Sequence, residues 1–149
     1  MPKLKADEFY MRRALELAQA QLGRTEPNPA VGCVLVRKGA IVGEGVTADG
    51  GRPHAETQAI KMAGSRAQQA TAYVTLEPCS HYGQTPPCAK ALIEAGIARC
   101  VIACIDPYPQ VNWRGAALLQ ESGIDTVIGC CENEALELNA KFFKQVLAK

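Results

Sequence analysis

Residues 72–105, AYVTLEPCSHYGQTPPCAKALIEAGIARCVIACI, carry the pattern that decides the fold. Residues 72–76 (AYVTL) and 100–105 (CVIACI) are short apolar runs of strand type, and between them CAKALIEAG reads as a helix stopped by Gly96. The segment joining the first strand to that helix is rich in Pro, Gly, Ser and Thr, so it is a loop. Working outward, Val31–Arg37 and Ala40–Val46 are β-rich runs that meet at Lys38-Gly39 and predict a hairpin. HAETQAIKMAG is the next helix, ending at Gly64. Before the hairpin, a first helix is expected from a cap at Asp7 to about Leu22, with Tyr10, Ala14, Leu17 and Ala18 on one face. After the second apolar run come a loop, a helix to about Ser122, a strand TVIG, and a last helix from about Glu132 to Val146. The alternation predicts an α/β fold, a three-layer α/β/α sandwich around a mixed five-stranded sheet.

The chain has 149 residues, a length that fits one domain spanning 1–149. Sixteen basic and fifteen acidic residues are interspersed, so no cationic surface for long nucleic acid is expected, and a small-molecule ligand is favoured. No apolar run is long enough to span a bilayer, and the N-terminal residues lack the pattern of a secretory signal; a cytoplasmic setting and no membrane partner are expected. In such a reducing setting the seven cysteines are not a disulfide framework. Cys33, Cys100 and Cys104 lie in apolar runs and read as core residues, whereas Cys130-Cys131 would project to opposite faces of a strand.

Cys79 and Cys88 differ, because they sit in the turn-rich loop just before a helix whose start is marked by Pro87. His54 and Glu56 open the preceding helix. Taken singly, each has an ordinary reading as a helix cap, a dipole partner or a core thiol. Together, one imidazole and two thiolates at two helix starts match a catalytic zinc site, with water in the fourth position and Glu56 as a proton carrier that is not a ligand. A closed structural site with His81 as fourth ligand is a second arrangement that the residues allow, and it gives Glu56 no task.

HAE followed by the wide-spaced PCSHYGQTPPC, together with EPNPAVGCVLV, GRPHAET and TPPCAKALIEAGI, resembles the cytidine-deaminase superfamily. The branch it is most similar to is the deaminase domain of the bifunctional deaminase/reductase of riboflavin biosynthesis. The resemblance implies one Zn²⁺ per chain held by His54, Cys79 and Cys88, with water or hydroxide as fourth ligand and Glu56 as proton shuttle. It implies hydrolytic deamination of 2,5-diamino-6-ribosylamino-4(3H)-pyrimidinone 5′-phosphate to the 5-amino-uracil product, with no reductase domain in this sequence. It also implies substrate contacts at Asn28 in the PNP loop, at His81, and at Asp106 in the loop toward the ribose phosphate, with Arg114 as a phosphate partner. Four positions depart from the family's usual residues. Gln84 stands in place of a basic residue, Tyr108 of Asn, Trp113 of Gly, and Thr47 of His. They bear on the phosphoribosyl arm and leave the ring chemistry intact. Another aminopyrimidine, a nucleoside or a base is the alternative substrate, and a non-catalytic zinc-stabilised module the alternative function. A homo-oligomer is expected, with Leu136, Leu138, Phe142, Phe143 and Val146 of the last helix available either for self-association or for packing on the sheet.

Overall fold

A computed structural model of the chain describes residues 3–80, 87–109 and 111–147. His81 and Gln84 lie outside these residues, as does the side chain of Val146. Strands β1 (Gly32–Arg37) and β2 (Ala40–Val46) form the expected antiparallel hairpin. Both turn residues have positive φ, 52° at Lys38 and 77° at Gly39, which matches the twist of a tight two-residue turn. Strand β3 (Thr71–Val74) pairs antiparallel with β1, and β4 (Arg99–Ile102) and β5 (Asp125–Ile128) then add in parallel, giving the order β2-β1-β3-β4-β5. The mixed sheet follows from the connections, since a two-residue turn forces antiparallel neighbours and a helical crossover allows parallel ones.

Alternating residues of each strand face different cores. Cys33, Leu35, Ala72, Val74, Cys100 and Ile102 pack under α2 (Ala55–Ala63), α3 (Cys88–Glu94) and α4 (Arg114–Glu121). Val34, Val36, Tyr73 and Val101 face α1 (Lys3–Ala20), α5 (Glu132–Leu138) and α6 (Ala140–Leu147). This is the three-layer α/β/α arrangement, and Cys33, Cys100 and Cys104 are core residues within it.

Helices on both faces approach the sheet closely because glycine lines the contacts. A Cβ on Gly45 would lie 2.1 Å from the Ala55 carbonyl oxygen, and one on Gly43 2.3 Å from that of Ala59. On the opposite face, a Cβ on Gly32 would lie 1.9 Å from the Ala14 carbonyl oxygen. Side chains at these positions would lift the helices off the strands.

Three expectations are corrected. Asp7 is not a cap: α1 begins at Lys3, and Asp7 is buried within it, accepting hydrogen bonds from Tyr73 Oη at 2.8 Å and from Arg99 Nη1 and Nη2 at 2.7 and 2.6 Å. A buried carboxylate needs such partners, and here they tie α1 to β3 and β4. The last helix is broken at Asn139, whose amide mimics a strand partner: Oδ1 accepts from Ala30 N–H at 3.0 Å, and Nδ2 donates to Ala30 C=O at 2.8 Å. Phe143 is buried, while Leu138 and Phe142 pack partly buried against the sheet. Finally, Cys130 and Cys131 fall beyond β5 in a turn, with Cys131 at φ 58° before α5, so strand alternation does not govern them.

Gly45→Ala is expected to destabilise the chain by about 3 kcal/mol, because backbone faces the new methyl and cannot swing aside. Thermal unfolding followed by circular dichroism should fall by on the order of 10 °C.

Candidate metal centre

Helix α2 follows the hairpin after a connection over residues 47–54, with His54 as its extended N-cap residue at φ −72° and ψ 160°. Helix α3 starts with Cys88 after Pro87, whose φ of −60° suits a helix entrance. Cys79 sits in the segment leaving β3 and is joined to α3 by two backbone-led bonds. Ala89 N–H donates to Cys79 C=O at 3.0 Å, and Cys88 N–H reaches Cys79 Sγ at 3.2 Å. Because α2 and α3 cover the same face of the sheet, their starts converge at its edge of loops.

The result is a compact donor set. The ligating atoms of His54, Cys79 and Cys88 all lie within 4.8 Å of one another, and His54 Nδ1 is 3.2 Å from Cys88 Sγ. Neighbouring ligands at usual zinc distances in a tetrahedron are about 3.6 Å apart, so the three atoms need little movement to close on one ion. One nitrogen and two sulfurs leave a tetrahedral ion one open position, and the donor types are those zinc prefers.

The local electrostatics hold Cys79 in its ligating form and leave Cys88 and His54 with protons to give up. Cys79 is lowered to about 4, first by its hydrogen bond with the Cys88 thiol, with His54 and the Cys88 N–H adding to the effect and burial opposing it. Cys88 is raised, because it keeps the proton shared with Cys79 and is largely buried. The pair therefore carries one thiolate without metal, and an incoming cation displaces the remaining proton. The Cys79 thiolate likewise raises His54. Glu56, 4% exposed on the first turn of α2, is raised to about 7 by burial and then by the negative charge of Cys79.

A cavity of about 350 Å³ opens over this cluster and includes His54, Glu56 and Cys79 in its wall. Asn28, Thr47, Asp106 and Tyr108, all expected at the site from the sequence, also line it. Two have local tasks as well. The Thr47 hydroxyl accepts from Val31 N–H at 2.9 Å, and Asp106 Oδ1 accepts from Tyr108 N–H at 2.9 Å. Arg114, expected as a phosphate partner, is exposed at the start of α4 and does not line this cavity. Trp113, also expected to crowd the loop, is 50% exposed with φ 67° and is likewise outside that wall.

Sequence reading passed over Arg52 and Glu77, both on the wall. Arg52 stands two residues before His54, and Glu77 two before Cys79, so proximity to the ligands was the available signal. Asn139 was missed too, since its effect on Ala30 spans 109 residues of sequence.

Residues 4–104 match the family described as the cytidine and deoxycytidylate deaminase zinc-binding region. The chain belongs to that family of zinc-binding deaminases. Over 140 residues, 94% of this chain, it is 56% identical to the riboflavin biosynthesis protein RibD of Escherichia coli, of which it covers 38%. Over the same length it is 49% identical to the diaminohydroxyphosphoribosylamino-pyrimidine deaminase of Buchnera aphidicola subsp. Acyrthosiphon pisum, of which it covers 95%. The Acinetobacter baumannii RibD structure superposes with a TM-score of 0.93 at 50% identity, covering 97% of this chain and 40% of that one. The chain thus spans less than half the length of the RibD proteins it matches, and within the zinc-binding deaminases it falls in their riboflavin-biosynthesis branch.

Cys88→Ala is expected to lower zinc content after dialysis against a chelator from about one ion per chain to less than about a tenth of that, read by atomic emission.

Proposed function

We propose that residues 1–149 form a single zinc-dependent deaminase domain. It converts 2,5-diamino-6-ribosylamino-4(3H)-pyrimidinone 5′-phosphate to 5-amino-6-ribosylaminouracil 5′-phosphate and ammonia. The observation that carries this reading is the meeting of the His54, Cys79 and Cys88 donor atoms beside the buried Glu56 carboxylate in one cavity. The near full-length similarity to the Buchnera deaminase supports the substrate. One sheet carrying helices on both faces supports the single domain.

His54, Cys79 and Cys88 would hold the ion, which when bound supplies a water acidic enough to be nucleophilic near neutral pH. The protein's part is proton transfer and orientation. Glu56 would carry the two protons of the attacking water, one to the ring nitrogen and one to the exocyclic amine, so the exocyclic C–N bond breaks as the C=O bond forms and ammonia departs. Its burial in the cavity keeps bulk water from competing for that proton. Asn28 and the Asp106–Tyr108 segment would border the ring and sugar, while His81 and Gln84 complete the substrate contacts. Arg52 is the cation, among the described residues, lining the cavity apart from the His54 imidazole, and it would attract the phosphate where Gln84 brings no charge. Thr47 would serve by holding Val31.

The cysteines are all free, which supports a reducing, cytoplasmic setting, and no helix among the described residues is long and apolar enough to cross a membrane. A homo-oligomer belongs to the same proposal and rests on the family resemblance; the exposed Phe9 of α1 and Met62 of α2 lie on opposite layers and form no common patch.

Glu56→Gln should keep its zinc and lose about 10³-fold or more in ammonia release from the phosphorylated pyrimidinone. No ammonia release by zinc-loaded wild type would overturn the catalytic reading in favour of a zinc-stabilised module, and equal turnover by variant and wild type would remove Glu56 from the proton transfer. Arg52→Gln should raise KM for the phosphorylated substrate about tenfold while leaving the dephosphorylated compound unaffected. Steady-state ammonia assays on both compounds, with cytidine alongside, test the substrate. Turnover restricted to unphosphorylated compounds would point to another aminopyrimidine or nucleoside.

A further inference from the structure

Part of the cavity wall that holds His54 and Glu56 is a loop, and a carboxylate ties it to the metal segment. Asp106, Tyr108 and Val111 of this loop line the cavity. Internally the loop is tied by Val111 N–H and Asn112 N–H, both donating to Tyr108 C=O at 2.9 Å, and by Asn112 Nδ2 donating to Asp106 C=O at 2.9 Å. These bonds shape the loop without setting its distance from Cys79.

Glu77 sets that distance. It precedes Pro78-Cys79 and is 4% exposed. Its Oε1 accepts from both ends of the loop, Asp106 N–H and Trp113 N–H, each at 3.1 Å, and its Oε2 accepts from Ala116 N–H of α4 at 3.0 Å. Its own N–H donates to Cys104 C=O at 3.0 Å, fixing the residue to the end of β4. Beside it, a Cβ on Gly115 would lie 1.8 Å from the Pro78 carbonyl oxygen, so the start of α4 rests directly on the metal segment. Three convergent N–H donors call for a group with two acceptor atoms and no donor, which is a carboxylate.

We infer that Glu77 is a positioning residue. Its carboxylate clamps the loop at Asp106 and Trp113 to the Cys79 segment and so sets the width of the cavity for the arm of the substrate that lies beyond the ring. The inference rests on the deaminase reading of this cavity. A glutamine at this position offers one acceptor and one donor group, so at least one of the three N–H groups would face an NH₂. An aspartate keeps the charge but is one methylene too short to reach both the loop and α4.

The test compares wild type, Glu77→Gln and Glu77→Asp as full chains with zinc content measured. Both variants are expected to bind zinc as wild type does, to raise KM for the phosphoribosyl pyrimidinone at least about tenfold, and to keep kcat per zinc within about threefold. Amide hydrogen exchange should accelerate at Asp106, Trp113 and Ala116 while β3 and β4 stay protected. A merely structural role predicts lower thermal stability and a smaller active fraction with KM unchanged, and Glu77→Asp restoring wild-type behaviour. Either result overturns the inference. Where Glu77→Gln does not fold, Glu77→Asp carries the comparison. Wild-type turnover in the same assay reports on the deaminase reading alone, and unchanged exchange at the three amides sinks the clamp whether or not wild type turns over.

Discussion

The seating of α2 on the β1–β2 hairpin is the constraint on which the rest depends. Gly43 and Gly45 leave the strand surface bare, so the backbone of α2 lies against it at distances that no side chain would permit. That contact fixes where the helix begins, and His54 and Glu56 belong to its cap and first turn. Had the helix stood farther off, its start would not reach the Cys79–Cys88 segment. The three donor atoms would then be dispersed instead of lying within 4.8 Å. A metal site assembled from two helix starts depends on how the helices are packed before it depends on the ligands themselves.

Burial around the site follows from the same packing. Helices α2, α3 and α4 cover one face of the sheet, and the residues between strands and helices gather where ligands of open α/β sheets bind. In this position Glu56 is removed from solvent, and that burial is the first cause of its raised proton affinity. Cys79 moves the opposite way because hydrogen-bond donors surround its sulfur. One packed corner therefore yields a carboxyl able to take up and release a proton near neutral pH and a thiol that gives its proton up.

The opposite layer contributes through long-range pins. Asp7 joins α1 to β3 and β4 through Tyr73 and Arg99, a buried charge with a bidentate partner. Asn139 breaks the C-terminal helix and holds Ala30, and thereby the Pro27–Pro29 segment that forms part of the cavity wall. Neither pin touches the donor set: the Asn139 pin holds part of the cavity wall, and the Asp7 pin secures α1 at the start of β4.

The sequence by itself determined the element order, the mixed sheet, the hairpin at Lys38-Gly39 and the four residues His54, Glu56, Cys79 and Cys88. These are local properties: hydrophobic period, turn chemistry, and donor types placed at helix starts. The tertiary structure decided which partner each remaining polar group takes. Asp7 looked like a cap because capping is the local use of an aspartate before a helix, and only folding brings Arg99 to it. Arg114 follows the Asp106 loop in the sequence, and only the fold shows that it is exposed at the start of α4, outside the cavity wall. Asn139 was silent in the sequence, and for Glu77 and Arg52 only closeness to the ligands hinted at a part, because a hydrogen bond or a cavity wall joins residues distant in the chain and no periodicity records such a meeting.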